Sequence, residues 1–535
     1  MQHAINELPI FKCIRLEAKN PEQEALIFVN SDESEERVSY ADIFRNTNRF
    51  AHALIKAGIG KGDRFTLLMR NHPEFIYALF AALSIGAIAV PIDPRSKGPK
   101  LSFQINNTRS KGNIISDEFM ENFDDAQPEI GNSPVIGVLY KDHHQVDLNP
   151  AYPVLNDIVR NEPAQIPVQT VPLDYTAPAQ IIHTSGTTGD PKGVLLKADR
   201  YMAYAVMAKF MWGYQADDVL YTGLSLTHGN AQSVTLLPAL AIGITAVISE
   251  KFTKSRLWDI CRKYNCTTFS LLGGMMAGLY NETPKEDDGT NSVRKVISAG
   301  TPKAIWVDFE KRFNVKIHEW YAAVEGGLAS NPPGFGPVGS FGKPPGGLLE
   351  MKIVDGNDNE VGPYTRGELV SRFAAGKTTV DYVGKKKESE EKTRGGWLRS
   401  GDICHRDENG FFYFDYRKGG GLRRQGDFIQ TDLIEKIIGA HPSVSEVCVY
   451  GVPASSGAPG ESDLVAAIVP FKDGEVHVES IQNICKKELE RNSIPSFFQI
   501  IDEMPKTISE KPLERVLQKI FRPDANNVFK FNHEE

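Results

Sequence analysis

The chain has 535 residues, 41% of them apolar, with 60 Lys and Arg against 68 Asp and Glu for a formal charge of −8. That length exceeds one ordinary hydrophobic core, so at least two domains are expected. The mild acidity and the lack of any Lys/Arg block speak against a nucleic-acid partner.

Met1 to Leu8 lacks the basic start and apolar stretch of a secretion signal, and no apolar run reaches the length of a membrane span. The terminal Asn532-His533-Glu534-Glu535 matches neither a prenylation box nor a peroxisomal address, so the expected compartment is the cytoplasm. The six cysteines (Cys13, Cys261, Cys266, Cys404, Cys448 and Cys485) are scattered without a Cys-x-x-Cys pair and read as reduced thiols. His143-His144 lies in a charged stretch and is expected to be solvated rather than to hold a metal.

Along the first third, Phe65 to Met69 and Ala87 to Ile92 read as strands, with a helix from Pro73 to Ser84 between them. This is the βαβ rhythm of a largely parallel sheet. The Pro-rich segment from Pro163 to Pro178 is expected to be irregular, and Gln180-Ile181-Ile182-His183 reads as a buried strand. Next comes Thr184-Ser185-Gly186-Thr187-Thr188-Gly189-Asp190-Pro191-Lys192-Gly193. Its small residues let backbone N–H groups approach an anion, the hydroxyls add donors and the lysine neutralises charge, which is phosphate-cradling chemistry. It is not a Walker P-loop, because Pro191 precedes Lys192 and no Ser or Thr follows the lysine. A flexible linker shares this composition, but Pro191-Lys192-Gly193 and the apolar strand argue against one.

The rhythm resumes through Thr245 to Ile248 and Val296 to Ser298. Beyond about residue 340 the strands become shorter and turn-punctuated, as in Gly410 to Phe414, and the run Lys385 to Lys392 reads as a solvated loop. The cluster Gly419-Gly420-Gly421 is the expected domain boundary. A helix (Asp432 to Ile438), two strands (Val447 to Val452, Leu464 to Val469) and a helix near Ile481 to Glu490 follow it. That order suits a small α+β domain of about 120 residues.

Five further segments occur in an order that matches one family. They are Ser298-Ala299-Gly300-Thr301-Pro302, Tyr321-Ala322-Ala323-Val324-Glu325, Ser400-Gly401-Asp402, Asp415-Tyr416-Arg417 with Gly426 nine residues on, and Pro505-Lys506-Thr507-Ile508-Ser509-Glu510-Lys511. With the phosphate loop, they make the chain resemble the adenylate-forming superfamily of acyl-CoA synthetases, carrier-loading adenylation domains and luciferases, from Asn71 to Lys511. Leu226-Thr227-His228-Gly229-Asn230-Ala231-Gln232 and Arg423-Arg424-Gln425-Gly426-Asp427-Phe428 are most similar to the crotonobetaine/carnitine-type CoA ligases.

The resemblance implies an α/β fold in two domains. Residues 1–416 would form a large domain of mostly parallel sheets flanked by helices, with a β-barrel-like part. Residues 417–535 would form a small mobile α+β domain carrying the catalytic lysine. It implies that Thr184, Ser185, Gly186, Thr187, Thr188, Gly189 and Lys192 cradle the ATP phosphates, and that Ala299, Gly300 and Thr301 line the adenine pocket. Tyr321 would stack on adenine, Asp402 would accept the ribose hydroxyls and Arg417 would be the second ribose or phosphate contact. Glu325 with Thr188 would hold Mg²⁺, Lys511 would stabilise charge at the α-phosphate, and His228 would stand where the acyl and pantetheine pockets meet. Gly426 would face the pantetheine tunnel, and Leu271 to Met276 would line the acyl pocket.

The activity implied is acid–CoA ligation, with a carboxylic acid, ATP and CoA as small-molecule partners, no membrane span and a monomer or homodimer as the assembly. Loading of a carrier-protein phosphopantetheine, or a non-catalytic binding protein, stays open on the sequence. Four departures from the family pattern bear on this: Val324 in place of threonine, Ala322 and Glu510 in place of glycines, and Gly419-Gly420 where relatives carry polar hinge residues.

Overall fold

Branched and aromatic runs closed by glycine or polar turns set the strands of this protein. The computed structural model describes residues 2–16, 20–184, 191–417, 422–429, 431–458, 460–471, 477–505 and 512–531, excepting the side chains of Gln2, Arg417, Phe428 and Asp432. The first strands are β1 (Glu24–Val29) and β2 (Glu35–Ser39). Then come β3 (Arg64–Leu68), β4 (Ile88–Ile92), β5 (Asn113–Ser116), β6 (Val135–Leu139), β7 (Pro178–Thr184) and β8 (Lys192–Lys197), which form one sheet in the order β6-β5-β3-β4-β7-β8. Only β8 runs antiparallel to its neighbour, pairing Thr184 with Lys192 across the two strands that flank the glycine-rich segment.

The next six are β9 (Leu220–Thr222), β10 (Ala246–Ser249), β11 (Thr268–Leu272), β12 (Lys295–Ala299), β13 (Lys316–Ala323) and β14 (Gly326–Asn331). They join β1 and β2 in an eight-stranded sheet, β14-β13-β12-β11-β9-β10-β1-β2, parallel except for its two edge strands. Between the two sheets lies the helix Pro73–Ile85, which shares one apolar cluster with Leu26 and Phe28 of the second sheet and Phe65 and Leu67 of the first. Its residues are apolar on every side, as a helix enclosed by two sheets requires. Pro73 opens it and Gly86, at φ 70°, closes it in the left-handed conformation that glycine adopts without penalty. Phe80 in its middle is fully buried, and truncation to alanine would cost about 3–5 kcal/mol.

A curled antiparallel sheet follows: β15 (Leu349–Val354), β16 (Gly367–Phe373), β17 (Leu398–Arg406) and β18 (Phe412–Arg417). The two-residue strands β19 (Arg423–Arg424) and β20 (Asp427–Phe428) make a tight hairpin. The last sheet is β21 (Val444–Pro453), β22 (Ser462–Pro470), β23 (Phe497–Ile500) and β24 (Val528–Lys530), packed with helices Thr431–Gly439 and Val478–Glu488 around a cluster of its own. No described helix is long and apolar enough to cross a membrane.

The predicted strands and helices recur within a few residues, and the stretch from 163 to 177 is irregular as expected. All six cysteines are buried free thiols. Gly419, Gly420 and Gly421 lie outside the described residues.

Two expectations need correction. The charged run is a helix, Lys386–Lys392, because Ser389 turns inward, accepting from the Tyr382 N–H and donating to the Lys385 carbonyl, while the charges stay on the outer face. His143 and His144 are not solvated, with side chains only 7% and 8% exposed. They follow the C-terminal end of β6, where the chain turns under neighbouring strand ends, and a Coulomb-active neighbourhood of Asp117, Glu118 and Glu250 makes burial of their polar rings tolerable.

Candidate active site

The C-terminal ends of the parallel strands, the curled sheet and the β19–β20 hairpin enclose one cleft of about 2490 Å³. Openings of α/β sheets at strand ends are where ligands bind. The cleft brings together nearly every described residue singled out by motif: Thr184 and Lys192 from the strands beside the phosphate loop, His228, the Ala299-Gly300-Thr301 turn, Tyr321, Glu325, Asp402 and Gly426. Ser185, Gly186, Thr187, Thr188, Gly189 and Lys511 lie outside the described residues, as does the side chain of Arg417, whose backbone pairs with Asp402.

On one wall, the Tyr321 hydroxyl donates to Asp402 Oδ2 at 2.5 Å, and its ring stacks on Phe341 with centroids 4.8 Å apart. Strand β13 ends at Ala323, and the turn to β14 presents Glu325, whose Oε1 accepts from the Tyr382 hydroxyl at 2.8 Å. Lys192 Nζ sits 5.2 Å above the same tyrosine ring, a cation–π contact. Tyr382 therefore links Lys192 to Glu325, although no motif marked it. Val324 packs against the apolar group of Ile182, Val194 and Tyr382. It is half-buried and also lines the cleft, so the departure from threonine puts apolar packing where a hydroxyl would stand at the cleft wall.

Behind the Ala299-Gly300-Thr301 turn lies Glu319, which the sequence did not mark. Its carboxylate accepts from the Gly300 N–H at 2.6 Å and the Thr301 N–H at 3.3 Å, which holds the turn in place. Burial pushes this carboxyl up to about 7, against the opposing effect of those hydrogen bonds.

On the other wall, His228 Nε2 lies 2.8 Å from Asp93 Oδ2. Burial pulls the imidazole down, but the bond and charge of Asp93 outweigh it, and the ring titrates above its ordinary value. Its side chain keeps 42% of its surface open to the cleft. Asp93 also binds Arg95 Nη2 at 2.7 Å, and the same nitrogen reaches Asp427 Oδ2 of the hairpin at 2.9 Å. A charged chain from His228 through Asp93 and Arg95 to Asp427 thus crosses from the β4 end to the C-terminal segment.

The hairpin tip presses into the cleft. Gly426 has φ 86°, its N–H donates to Glu461 Oε1 at 3.0 Å, and a Cβ on it would meet Leu272 Cδ1 at 2.9 Å. Farther along the chain, after the helix Val478–Glu488, Glu490 binds Lys100 at 2.7 Å and Ser96 at 3.0 Å, a second contact between the last sheet's part of the chain and the β4 end. Leu272, Gly273, Gly274 and Met275, expected at the acyl pocket, line the cleft beside the hairpin.

Residues 15–376 match the sequence model of the AMP-binding enzyme family, and residues 433–511 match that of the AMP-binding enzyme C-terminal domain. The chain is similar to the crotonobetaine/carnitine–CoA ligase of Salmonella arizonae, 28% identical over 510 residues that span 92% of this chain and 95% of that protein. The enzyme of the same name from Proteus mirabilis is 28% identical over 515 residues, with the same coverage. Among solved structures, a double mutant of o-succinylbenzoate CoA synthetase from Bacillus subtilis superposes with a TM-score of 0.77 at 23% identity, covering 96% of this chain and 98% of that one. The amide bond synthetase McbA from Marinactinospora thermotolerans gives a TM-score of 0.81 at 20% identity, with coverage of 96% and 99%. At those identities the structures show a shared fold.

Proposed function

The chain belongs to the AMP-binding enzyme family, and from that premise we propose that it is an AMP-forming acid–CoA ligase. A carboxylic acid would attack the α-phosphate of ATP, giving an acyl-adenylate and pyrophosphate, and the thiol of CoA would then displace AMP. The observation that carries this reading is the seating of the hairpin. Gly426 lies against Leu272 and lines the same cleft as the Tyr321–Asp402 pair, which supports a reading in which nucleotide and thiol reach one space.

In this reading Tyr321 stacks on adenine and Asp402 takes the ribose hydroxyls, an assignment suited to a carboxylate with two acceptor oxygens. Lys192 and the adjoining loop receive the β- and γ-phosphates. Glu325 offers the oxygen donors a hard dication requires and would hold Mg²⁺ together with Thr188. That ion, when bound, would neutralise phosphate charge. His228, oriented by Asp93, borders the acyl and pantetheine pockets. Lys511 stabilises charge in the first step, after which residues 417–535 would rotate about residue 417 as a hinged unit relative to residues 1–416. Arg95–Asp427 and Lys100–Glu490 would fasten the thiol-accepting arrangement.

Pyrophosphate release with ATP and Mg²⁺ across a panel of carboxylic acids, with and without CoA, tests the proposal. Acid-dependent release that ends in an acyl-CoA is expected. Release without thioester formation would transfer the acceptor role to another nucleophile, and silence across the panel with nucleotide still bound would refute the ligase.

A further inference from the structure

Beside the cleft, in the bend behind it, four loop segments converge on a cluster that the ligase reaction does not use. His72 follows β3, Asp117 and Glu118 follow β5, His143 and His144 follow β6, and Glu250 follows β10 of the other sheet. One ligand atom each from His72, Glu118, His144 and Glu250 lies within 4.8 Å of the other three. His144 Nε2 stands 3.5 Å from Glu250 Oε1 and 3.7 Å from Glu118 Oε1. Four ligands around a tetrahedral zinc at ordinary bond lengths stand about 3.3 Å apart. Two edges are thus nearly at bonding geometry, and the widest needs a contraction of at most about 1.5 Å.

The hydrogen bonding points the same way. His72 is fully buried, and neither of its ring nitrogens has a hydrogen-bond partner. His144 Nε2, His143 Nε2 and Glu118 Oε1 are also buried with no well-formed hydrogen bond, although each has an opposite charge nearby, His143 Nε2 lying 3.3 Å from Glu250 Oε2. A buried imidazole with both nitrogens unsatisfied is costly, and such groups call for a missing partner. The other nitrogen of His144 is committed: Nδ1 lies 2.5 Å from Asp117 Oδ1, while the other Asp117 oxygen accepts from the Lys141 N–H at 3.0 Å. A carboxylate on one imidazole nitrogen fixes the tautomer that leaves the opposite lone pair free for a metal, the usual arrangement at histidine-ligated sites.

Charge agrees as well. Asp117, Glu118 and Glu250 bring three negative charges, and Arg70, 2.7 Å from Glu118 and 3.6 Å from Glu250, brings one positive charge. With the histidines neutral, as ligation requires, a divalent cation balances the sum, displacing the proton that the carboxylates around His144 otherwise favour. Lys141 is engaged elsewhere, by Glu36 and Glu74.

We propose that His72, His144, Glu118 and Glu250 form a site for a divalent transition metal of the zinc class, with His143 beside it, that braces the two sheets behind the active-site cleft. Mixed imidazole and carboxylate donors select such ions over magnesium and calcium, which take oxygen ligands. The position gives the site a structural task. Asn71, next to His72, donates to the Leu224 and Ser249 carbonyls and accepts from the Leu226 N–H, and that loop carries His228. Arg70 and Glu250 reach both the cluster and the cleft.

The test uses full-length untagged protein, stripped with a chelator and reloaded with Zn²⁺ or Co²⁺ in the absence of nucleotide. Elemental analysis is expected to give about one equivalent, the cobalt protein to show the strong visible bands of four-coordinate Co(II), and Tm to rise on loading. His72→Ala and His144→Ala should lower affinity at least about tenfold, while His3→Ala, an exposed histidine elsewhere, keeps the metal. Should the histidine variants fail to fold, Glu118→Gln retains shape and removes one ligand charge, and its affinity for Co²⁺ should fall by a similar factor. Wild-type protein that takes up neither ion, with Tm unmoved, would overturn the proposal and leave the cluster an ion-pair network around a protonated His144. Undiminished binding in both His144→Ala and Glu118→Gln would overturn it too, since the metal would then lie elsewhere.

Discussion

Gly426→Ala isolates the seating of the hairpin. The substitution has two costs that act on different states. At φ 86° an alanine is strained by roughly 1–2 kcal/mol, but this strain persists wherever the hairpin goes and cancels between seated and withdrawn forms. The second cost belongs to the seated form alone, where the new methyl would lie 2.9 Å from Leu272 Cδ1. Because that atom is the end of a flexible side chain, the cost falls in the overpacking range of about 1–3 kcal/mol. At 1.4 kcal/mol per tenfold, conversion of a preformed acyl-adenylate to acyl-CoA should slow by about 5- to 150-fold. Pyrophosphate release in the first half-reaction should change much less. Single-turnover mixing of enzyme-bound adenylate with CoA measures the first quantity. A double-mutant cycle with Leu272→Ala assigns the effect, because relief of the contact requires a favourable interaction term of about 1 kcal/mol or more. Equal slowing of both half-reactions, or an interaction term near zero, would refute the reasoning.

Three further outcomes follow from the same geometry. Tyr382→Phe removes the 2.8 Å bond to Glu325, and loss of a hydrogen bond to a charged group, about 1.5–3 kcal/mol, should lower kcat/KM for ATP by about 10- to 150-fold; an unchanged rate of pyrophosphate release would take Glu325 out of the nucleotide site. Asp93→Asn removes the partner that holds His228 above its ordinary range, so the NMR titration of the His228 ring should move to lower pH, and a shift upward would contradict the assigned bond. Glu319 titrates near 7 when folded against 4.5 otherwise, so the unfolded chain releases this proton first and stability should fall as pH rises from about 4.5 to about 7, by up to roughly 3 kcal/mol. Urea midpoints of wild type and Glu319→Gln at pH 5 and pH 8 check this, with the variant expected to lose less across the interval; parallel losses would mean the carboxyl is not the source.

The contrast between what the sequence disclosed and what it concealed has a physical basis. Strands such as Arg64–Leu68 and Ile88–Ile92, and the helix between them, were legible because burial on both sides demands a continuous apolar run with turn residues at its ends. That Tyr321, Glu325 and Asp402 meet in one cleft was legible because each sits in a short segment whose order along the chain is itself a signal. Tyr382 and Glu319 were not, because each works through one partner far away in sequence and neither neighbourhood carries a pattern. The helix Lys386–Lys392 was misread because charges of both signs serve a loop and an exposed helix face equally, and the buried Ser389 that decides between them is inconspicuous.

His143 and His144 make the deeper case. Nothing local distinguishes two histidines among charges from a solvated loop, and what buries them comes from segments up to 178 residues apart, since His72 and Glu250 meet only because β3 and β10 belong to sheets packed against a common helix. The same packing explains the position of the cleft. The strand ends that approach one another behind it must bury polar loop termini, and buried polar groups need partners. Asn71 supplies hydrogen bonds to the His228 loop, Arg70 supplies charge to Glu118, and the remaining unsatisfied nitrogens of His72 and His144 accumulate where no backbone donor or acceptor reaches them. A brace between the sheets and a cleft open to solvent are therefore two consequences of one convergence, which is why residues of the first, Arg70 and Glu250, also line the second.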